Sequence, residues 1–244
     1  MTLVKITNKF LGDVQWTSSS QCDFILGSDT HIFKIGVSSN TSNLSSFTAI
    51  LNSGEIKRAG RYLHLHDKNR FTISRGATRL ILGKYLKVLP AAIEFEIGDN
   101  KKPFLRDAPL FYNVSHSGDR IVLAVSQSAI GIDTEQINPY FDFNDIIVEY
   151  FSPEEASFIA ETDSASRFFR LWTRKEALTK ATGKGLDEDL KFIPALEGEH
   201  YIQNQVIGSA EDWLTSSFNL DTENVASVSG NTSCKQLIFF EGEF

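Results

Sequence analysis

Two stretches decide the architecture of this chain: Arg70 to Lys84, RFTISRGATRLILGK, and Arg167 to Lys184, RFFRLWTRKEALTKATGK. Both open on Arg-Phe and close on Gly-Lys, and the pairs Gly83-Lys84 and Gly183-Lys184 stand 100 residues apart. In the first, Phe71, Ser74, Thr78, Leu82 and Leu86 recur at three- and four-residue steps, the spacing of a helix with one buried face. Gly76 should cost that helix about 1 kcal/mol relative to Ala. In the second, Trp172, Glu176 and Lys180 form an i, i+4, i+8 stripe. Shorter matching segments precede them, LNSGEIKRA from Leu51 and FSPEEASFIA from Phe151. The repeat predicts an α+β chain of two units of about 120 residues, each a sheet packed on a long helix, with chance similarity of two amphipathic helices as the alternative. The boundary should fall near Ser126-Gln127-Ser128, giving lobes of residues 1–126 and 127–244 with the active site in the cleft between them.

Outward from the helices the texture is that of strands. The first 50 residues read as strands and turns, with FILG (from Phe24) and HIFKIGVSS (from His31) as strands and Ser38 to Ser46 as a polar loop. A helix should open at Ser53. Residues 93–97 and 121–125 alternate as strands do, and the tail from Leu190 is strand-like, with a turn near Asp221 between two strands.

Among 244 residues, 41% are hydrophobic and 11% aromatic, enough for a proper core. No apolar run approaches the ~18–20 residues a bilayer span needs, and the start lacks the pattern of a signal peptide. Cys22 and Cys234 lie far apart without metal-type spacing, so reduced thiols in a cytoplasmic protein are expected, with a pairing between them left open. The net charge of −7 argues against nucleic acid as the main partner. Yet Lys57 to Lys87 holds nine basic residues against one acid, Asp67, giving +8 there and −15 elsewhere. That local excess suits a small phosphorylated ligand; a solvated helix face accounts for it equally well on charge alone.

The strongest chemical signal is Ile130-Gly131-Ile132-Asp133-Thr134-Glu135. On a strand Gly131, Asp133 and Glu135 share one face, with the two carboxylates about 6–7 Å apart. Such a pair makes a poor core and a good start for a Mg²⁺ site, which takes carboxylate, water and phosphate oxygens. Without context, two solvated acids at a strand end explain it as well. Glu176 would add a third carboxylate, and Lys180 a phosphate-binding cation, followed by the Gly183-Lys184-Gly185 turn. Ser115 and His116 are adjacent, so they make poor partners for a hydrolase and better ligands for phosphate. Lys101-Lys102-Pro103 adds a rigidified cation upstream.

Lys102-Pro103, Asn113-Val114-Ser115-His116-Ser117, Gly131-Ile132-Asp133-Thr134-Glu135, Phe151-Ser152-Pro153-Glu154-Glu155, Trp172-x-x-Lys175-Glu176-Ala177-x-x-Lys180 and Gly183-Lys184-Gly185 follow in order. This set resembles the 4′-phosphopantetheinyl transferases, in particular the larger, two-lobed, surfactin-synthetase-activating type. The resemblance spans residues from about 51 to 186, departing where Lys101 replaces a common Gly. It implies an α+β pseudo-dimer of two similar α/β lobes, and transfer of phosphopantetheine from coenzyme A to a serine of an apo acyl or peptidyl carrier protein, releasing 3′,5′-ADP. By position, Asp133, Glu135 and Glu176 would hold Mg²⁺, with Mn²⁺ as an alternative, and Lys180 would bind phosphate. Arg58, Arg70, Lys102, Pro103, Ser115 and His116 would hold the nucleotide part of coenzyme A, which gives the +8 segment a use. Glu176 or Glu135 would serve as base for the carrier serine, directly or through a water on the metal.

A non-catalytic coenzyme A or carrier-protein binding module is the alternative; it could dispense with the three carboxylates. A metal-dependent phosphohydrolase would need more His and Asp ligands than this chain supplies. Carrier proteins are commonly acidic, so docking needs apolar contacts and a local basic patch. Phe141, Phe143, Tyr150 and Phe151 are the candidates, with burial in the core as the competing role. Two lobes in one chain make a monomer the expected state.

Overall fold

The computed structural model describes residues 2–98, 103–106, 108–185, 187–233 and 235–244. Its first strands are β1 (Leu3–Asp13), β2 (Thr17–Ser18), β3 (Thr30–Gly36), β4 (Glu96–Ile97), β5 (Pro103–Phe104) and β6 (Phe111–Ser117). They are followed by β7 (Arg120–Ser126), β8 (Ile130–Gln136), β9 (Gly198–Gln203), β10 (Trp213–Asn219), β11 (Asn224–Asn231) and β12 (Leu237–Glu241). The helices are α1 (Leu44–Ala49), α2 (Ser53–Ala59), α3 (Leu65–Leu86), α4 (Asn144–Tyr150), α5 (Pro153–Ala160), α6 (Ser164–Thr182) and α7 (Asn204–Ile207). The chain is thus a mixed α+β protein, and no helix among the described residues is long and apolar enough to cross a membrane.

One five-stranded sheet runs β8-β11-β10-β1-β9 and the other β2-β12-β3-β7-β6, with a β4-β5 hairpin apart. Strand alternation sorts the side chains of β3 and β7 into two layers. Phe33, Ile35, Ile121, Leu123 and Val125 face Ile73, Ala77, Ile81 and Leu82 of α3. Ile32, Val122 and Ala124 face the other sheet, meeting Ile130, Ile132, Phe218, Ala226 and Val228. The long helix α6 covers the outer face of that second sheet, against β8, β11 and β10. Burying this apolar layer at about 25 cal/mol per Å² is what holds the sheets face to face.

The repeat survives as a pair of buried ionic locks. Asn52 and Ser152 cap α2 and α5, each in a capping box with Glu55 or Glu155. Glu55 Oε2 accepts from Arg79 Nε at 2.9 Å, and Arg79 Nη1 donates to the carbonyls of Pro90 and Ile93. Glu155 Oε2 pairs with Lys175 Nζ at 2.9 Å, and Lys175 donates to the carbonyls of Leu190 and Ile193. Arg79 and Lys175 are both fully buried. In each case a cation from the long helix ties its cap carboxylate to carbonyls of the loop that follows.

Several expectations change. The sheets draw strands across residue 126 in both directions: β1 pairs with β10 and β9, and β12 with β2 and β3. Alternation tells which face of a strand is buried, not which strand it pairs with. Ser38–Asn43 is a 3-10 turn leading into α1, because Phe47 is anchored on α3. A Cβ at Gly76 would lie 2.5 Å from the Phe47 ring, so that glycine makes room for α1. Phe24 and Gly27 have positive φ, and FILG is not a strand. Only Glu96–Ile97 of residues 93–97 forms a strand, and the tail includes a 3-10 turn at Glu188–Phe192 and helix α7. The buried face of α3 centres on Ile73, Ala77 and Ile81, rotated from the expected stripe. The two Gly-Lys pairs also differ: Gly83 is inside α3, whereas Gly183 caps α6 at φ +76°.

Candidate active site at the seam of the two sheets

β6 and β8 are the edge strands of different sheets and run side by side. Side chains stitch them together. Asn113 Oδ1 accepts from the Ile132 amide at 2.8 Å, Ser115 Oγ donates to Asp133 Oδ1 at 2.7 Å, and Ser117 Oγ donates to Glu135 Oε2 at 2.8 Å. The same face of β8 lies under α6. A Cβ at Gly131 would collide with the Ala177 carbonyl, so this glycine is what lets the helix backbone approach the strand.

That close approach brings Lys180 Nζ to 2.6 Å from Asp133 Oδ1 and 3.3 Å from Ser115 Oγ, with Glu176 Oε2 at 3.9 Å. Asp133 is only 3% exposed, and its Oδ2 is buried without a hydrogen-bond partner among the described residues. Burial pushes the pKa of Glu176 up to about 7; Lys180 opposes this, while Asp133 and Glu135 add to it. Burial and the charge of Asp133 also raise Glu135. Burial works against the ammonium of Lys180, but Asp133 and Glu176 outweigh it and hold its pKa above the ordinary value. The sequence-predicted Asp133, Glu135, Glu176, Lys180 and Ser115 are therefore gathered in one place.

Tyr112, Val114 and His116 alternate to the opposite side of β6 and line a cleft of about 190 Å³ with Arg58, Tyr62, Phe71, Ser74, Arg75, Thr78, Ile97 and Pro103. Ser115 and His116 thus point apart, as neighbours on a strand must. His116 is exposed at the cleft, and surrounding protein followed by the Arg70 cation lowers its pKa. Arg70 is close enough to act on it electrostatically while pairing with Asp67 at 2.8 Å. Lys102 and Cys234 lie outside the described residues. Of the +8 segment, Arg79 is spent inside the fold, so the cations do not form one continuous surface.

Sequence reasoning missed Arg75 and Ser117. Arg75 lines the cleft while pairing with Glu55 at 3.4 Å and lying over the Phe95 ring. Its place one turn after Phe71 in a basic helix was the available signal. For Ser117 the signal was the period of two from Asn113 and Ser115.

Among the described residues, no three His, Cys, Asp or Glu side chains form a ready metal cage. The donor chemistry nonetheless fits a hard cation: carboxylate oxygens, one of them a buried orphan, with mutual repulsion that a cation would relieve. Mg²⁺ completes such sites with water and substrate phosphates.

A family model described as the 4′-phosphopantetheinyl transferase superfamily matches residues 129–228, and one described as 4′-phosphopantetheinyl transferase, N-terminal, matches residues 38–128. The chain is similar to the 4′-phosphopantetheinyl transferase HetI of Nostoc sp., 35% identical over 170 residues covering 66% of this chain and 72% of the relative. The chain belongs to the 4′-phosphopantetheinyl transferase superfamily. A 4′-phosphopantetheinyl transferase of Bacillus subtilis is 29% identical over 185 residues, 74% of this chain and 82% of the relative. The 4′-phosphopantetheinyl transferase Sfp of Bacillus subtilis is 28% identical over 144 residues, 57% of this chain and 63% of the relative. The superfamily match contains Asp133, Glu135, Glu176 and Lys180 and stops inside β11, at Val228. As a 4′-phosphopantetheinyl transferase, the chain is a transferase that modifies carrier proteins with coenzyme A as donor.

Proposed function

We propose that the chain moves 4′-phosphopantetheine from coenzyme A to a serine of an apo acyl or peptidyl carrier protein with Asp133, Glu135 and Glu176 holding Mg²⁺, Mn²⁺ serving as an alternative. The observation that carries this reading is the convergence of Asp133 and Glu135 of β8 with Glu176 and Lys180 of α6, where Lys180 Nζ lies 2.6 Å from the buried Asp133 Oδ1 and 3.9 Å from Glu176 Oε2. Arg58, Arg70, Lys102, Pro103 and His116 hold the nucleotide part of coenzyme A, and Lys180 a phosphate, whereas Ser115 faces Asp133 on the other side of β6. The matching Glu55–Arg79 and Glu155–Lys175 locks support two similar lobes, with nucleotide binding assigned to the one carrying α3 and metal and catalysis to the one carrying α6, each completed by a strand from across residue 126.

A Mg²⁺ held by Asp133, Glu135 and Glu176 would supply charge neutralisation for the phosphates of coenzyme A. Lys180 and Ser115 fix Asp133 in place. Glu176, deprotonated, takes the proton of the carrier serine hydroxyl. The serine oxygen bonds to the phosphorus that bears the pantetheine arm, and the bond from that phosphorus to the oxygen of 3′,5′-ADP breaks. The electron pair leaves on that oxygen, close to the charge of Lys180. A non-catalytic binding module would have no use for three carboxylates close enough to raise one another's charge cost. Chromatography of a reaction with coenzyme A and apo-carrier tests the reading: 3′,5′-ADP should appear mole for mole with holo-carrier and stop with EDTA. Product formation undiminished by EDTA would remove the metal from the scheme.

A further inference from the structure

β8 is the last strand of its sheet, with β11 on one side and, among the described residues, no backbone ladder on the other. Edge amides still need acceptors, and here β6 supplies them with side chains. Asn113 Oδ1 takes the Ile132 amide at 2.8 Å, and Ser117 Oγ takes the Gln136 amide at 3.0 Å. The register this imposes matters, because a slip of one residue would turn Asp133 and Glu135 away from α6. Ser117 does a second thing at the same time: its hydroxyl proton goes to Glu135 Oε2 at 2.8 Å. One hydroxyl therefore receives from the backbone next to Glu135 and donates to the Glu135 carboxylate. The following Gly118 turns the chain at φ +53°, a conformation that favours glycine.

We infer that Ser117 is a positioning residue that fixes the Glu135 carboxylate, so that its remaining oxygen is presented to a divalent cation. The inference rests on the assignment of Glu135 to the metal made above. A carboxylate on a flexible stem otherwise samples several rotamers, and a donor that holds one oxygen removes that freedom before the cation arrives. Partners of metal-ligating carboxylates typically change metal affinity or activity by about 10- to 100-fold when removed.

The test follows free Mn²⁺ by electron paramagnetic resonance on the full chain loaded with coenzyme A, with no carrier present, so that no turnover intervenes. Ser117→Ala should weaken Mn²⁺ binding about tenfold or more, leave coenzyme A affinity unchanged, and shift the thermal midpoint by only a few degrees. Ser117→Thr, which keeps the hydroxyl, should restore Mn²⁺ binding. Unchanged Mn²⁺ affinity in Ser117→Ala would overturn the inference, as would equal weakening in the Ala and Thr variants. An unmodified chain that takes up no Mn²⁺ would overturn the metal assignment itself, which is a different result from a variant that fails beside a competent parent.

Discussion

Lys180 Nζ lies 2.6 Å from Asp133 Oδ1 but 3.9 Å from Glu176 Oε2. The ammonium is thereby committed to Asp133, and Glu176 is left with burial and two neighbouring carboxylates acting against its charge. A carboxyl held near pKa 7 is matched to taking a proton at neutral pH.

The first prediction is a pH profile. Glu176 can hold the cation or take a proton only when deprotonated, so at limiting Mg²⁺ kcat/KM for the carrier should fall as pH drops below about 7, and excess Mg²⁺ should move that limb to lower pH. Glu176→Gln should remove that limb and cost about 10²- to 10³-fold in turnover. Steady-state rates from pH 5.5 to 8.5 check both.

The same group should mark stability in the opposite sense. Its folded pKa of about 7 exceeds the ordinary value of 4.5, so the folded state binds the proton more tightly. The associated stability is complete at acid pH and is lost as pH rises through about 7, by on the order of 2–3 kcal/mol without metal. Thermal melts of metal-free protein at pH 5 and pH 8 should show the difference, and Glu176→Gln should shrink it.

The ionic locks predict a ranking. Lys175→Met leaves Glu155 buried with no other cation in hydrogen-bonding contact among the described residues, and should cost about 3–5 kcal/mol. Arg79→Met leaves Glu55 paired with Arg75, so the loss should be smaller. Urea unfolding curves of the two variants give the order directly.

Gly131→Ala should separate α6 from β8, because the new Cβ meets helix backbone that cannot swing aside. Displacing Glu176 and Lys180 by about 1 Å should lower turnover about 100-fold. Gly183→Ala meets nothing within 4 Å among the described residues and should show mainly the strain of φ +76°, about 1–2 kcal/mol. Circular dichroism beside the rate assay separates a moved helix from an unfolded one.

Of the four aromatic residues proposed for carrier docking, Phe141 is the most exposed, although its ring also meets Phe168 and Phe169. Phe151 is 2% exposed in the core, and Phe143 stacks on Phe168 at 4.5 Å, so both are structural. Tyr150 is half-buried against Trp172. Phe141 remains 42% exposed beside Tyr140. Phe141→Asp should raise the KM for the carrier and spare that for coenzyme A, whereas Phe151→Asp should fail to fold.

What could be read from the sequence follows the range of each regularity. Asp133 and Glu135 share a face because strands repeat every two residues, and Glu176 and Lys180 because helices repeat every 3.6. These local periods place the four side chains relative to their neighbours along each element. The seam between β6 and β8 joins residues 18 apart in different sheets, and no local period announces it. The same holds for β1 and β12, where Ile6 pairs with Trp213 and Leu237 with Thr30 from opposite ends of the chain. Gly76 looked like a defect in α3 because its occupant, Phe47, arrives from another helix. Arg79 looked like part of a phosphate-binding surface because charge alone does not disclose a buried carboxylate partner.

The most direct measurement is intact mass spectrometry of an apo-carrier incubated with the chain, coenzyme A and Mg²⁺, beside EDTA and Asp133→Ala controls. The account predicts a gain of one phosphopantetheine with the unmodified chain and none in either control. A gain that persists with Asp133→Ala would contradict the placement of the chemistry at the seam between β8 and α6.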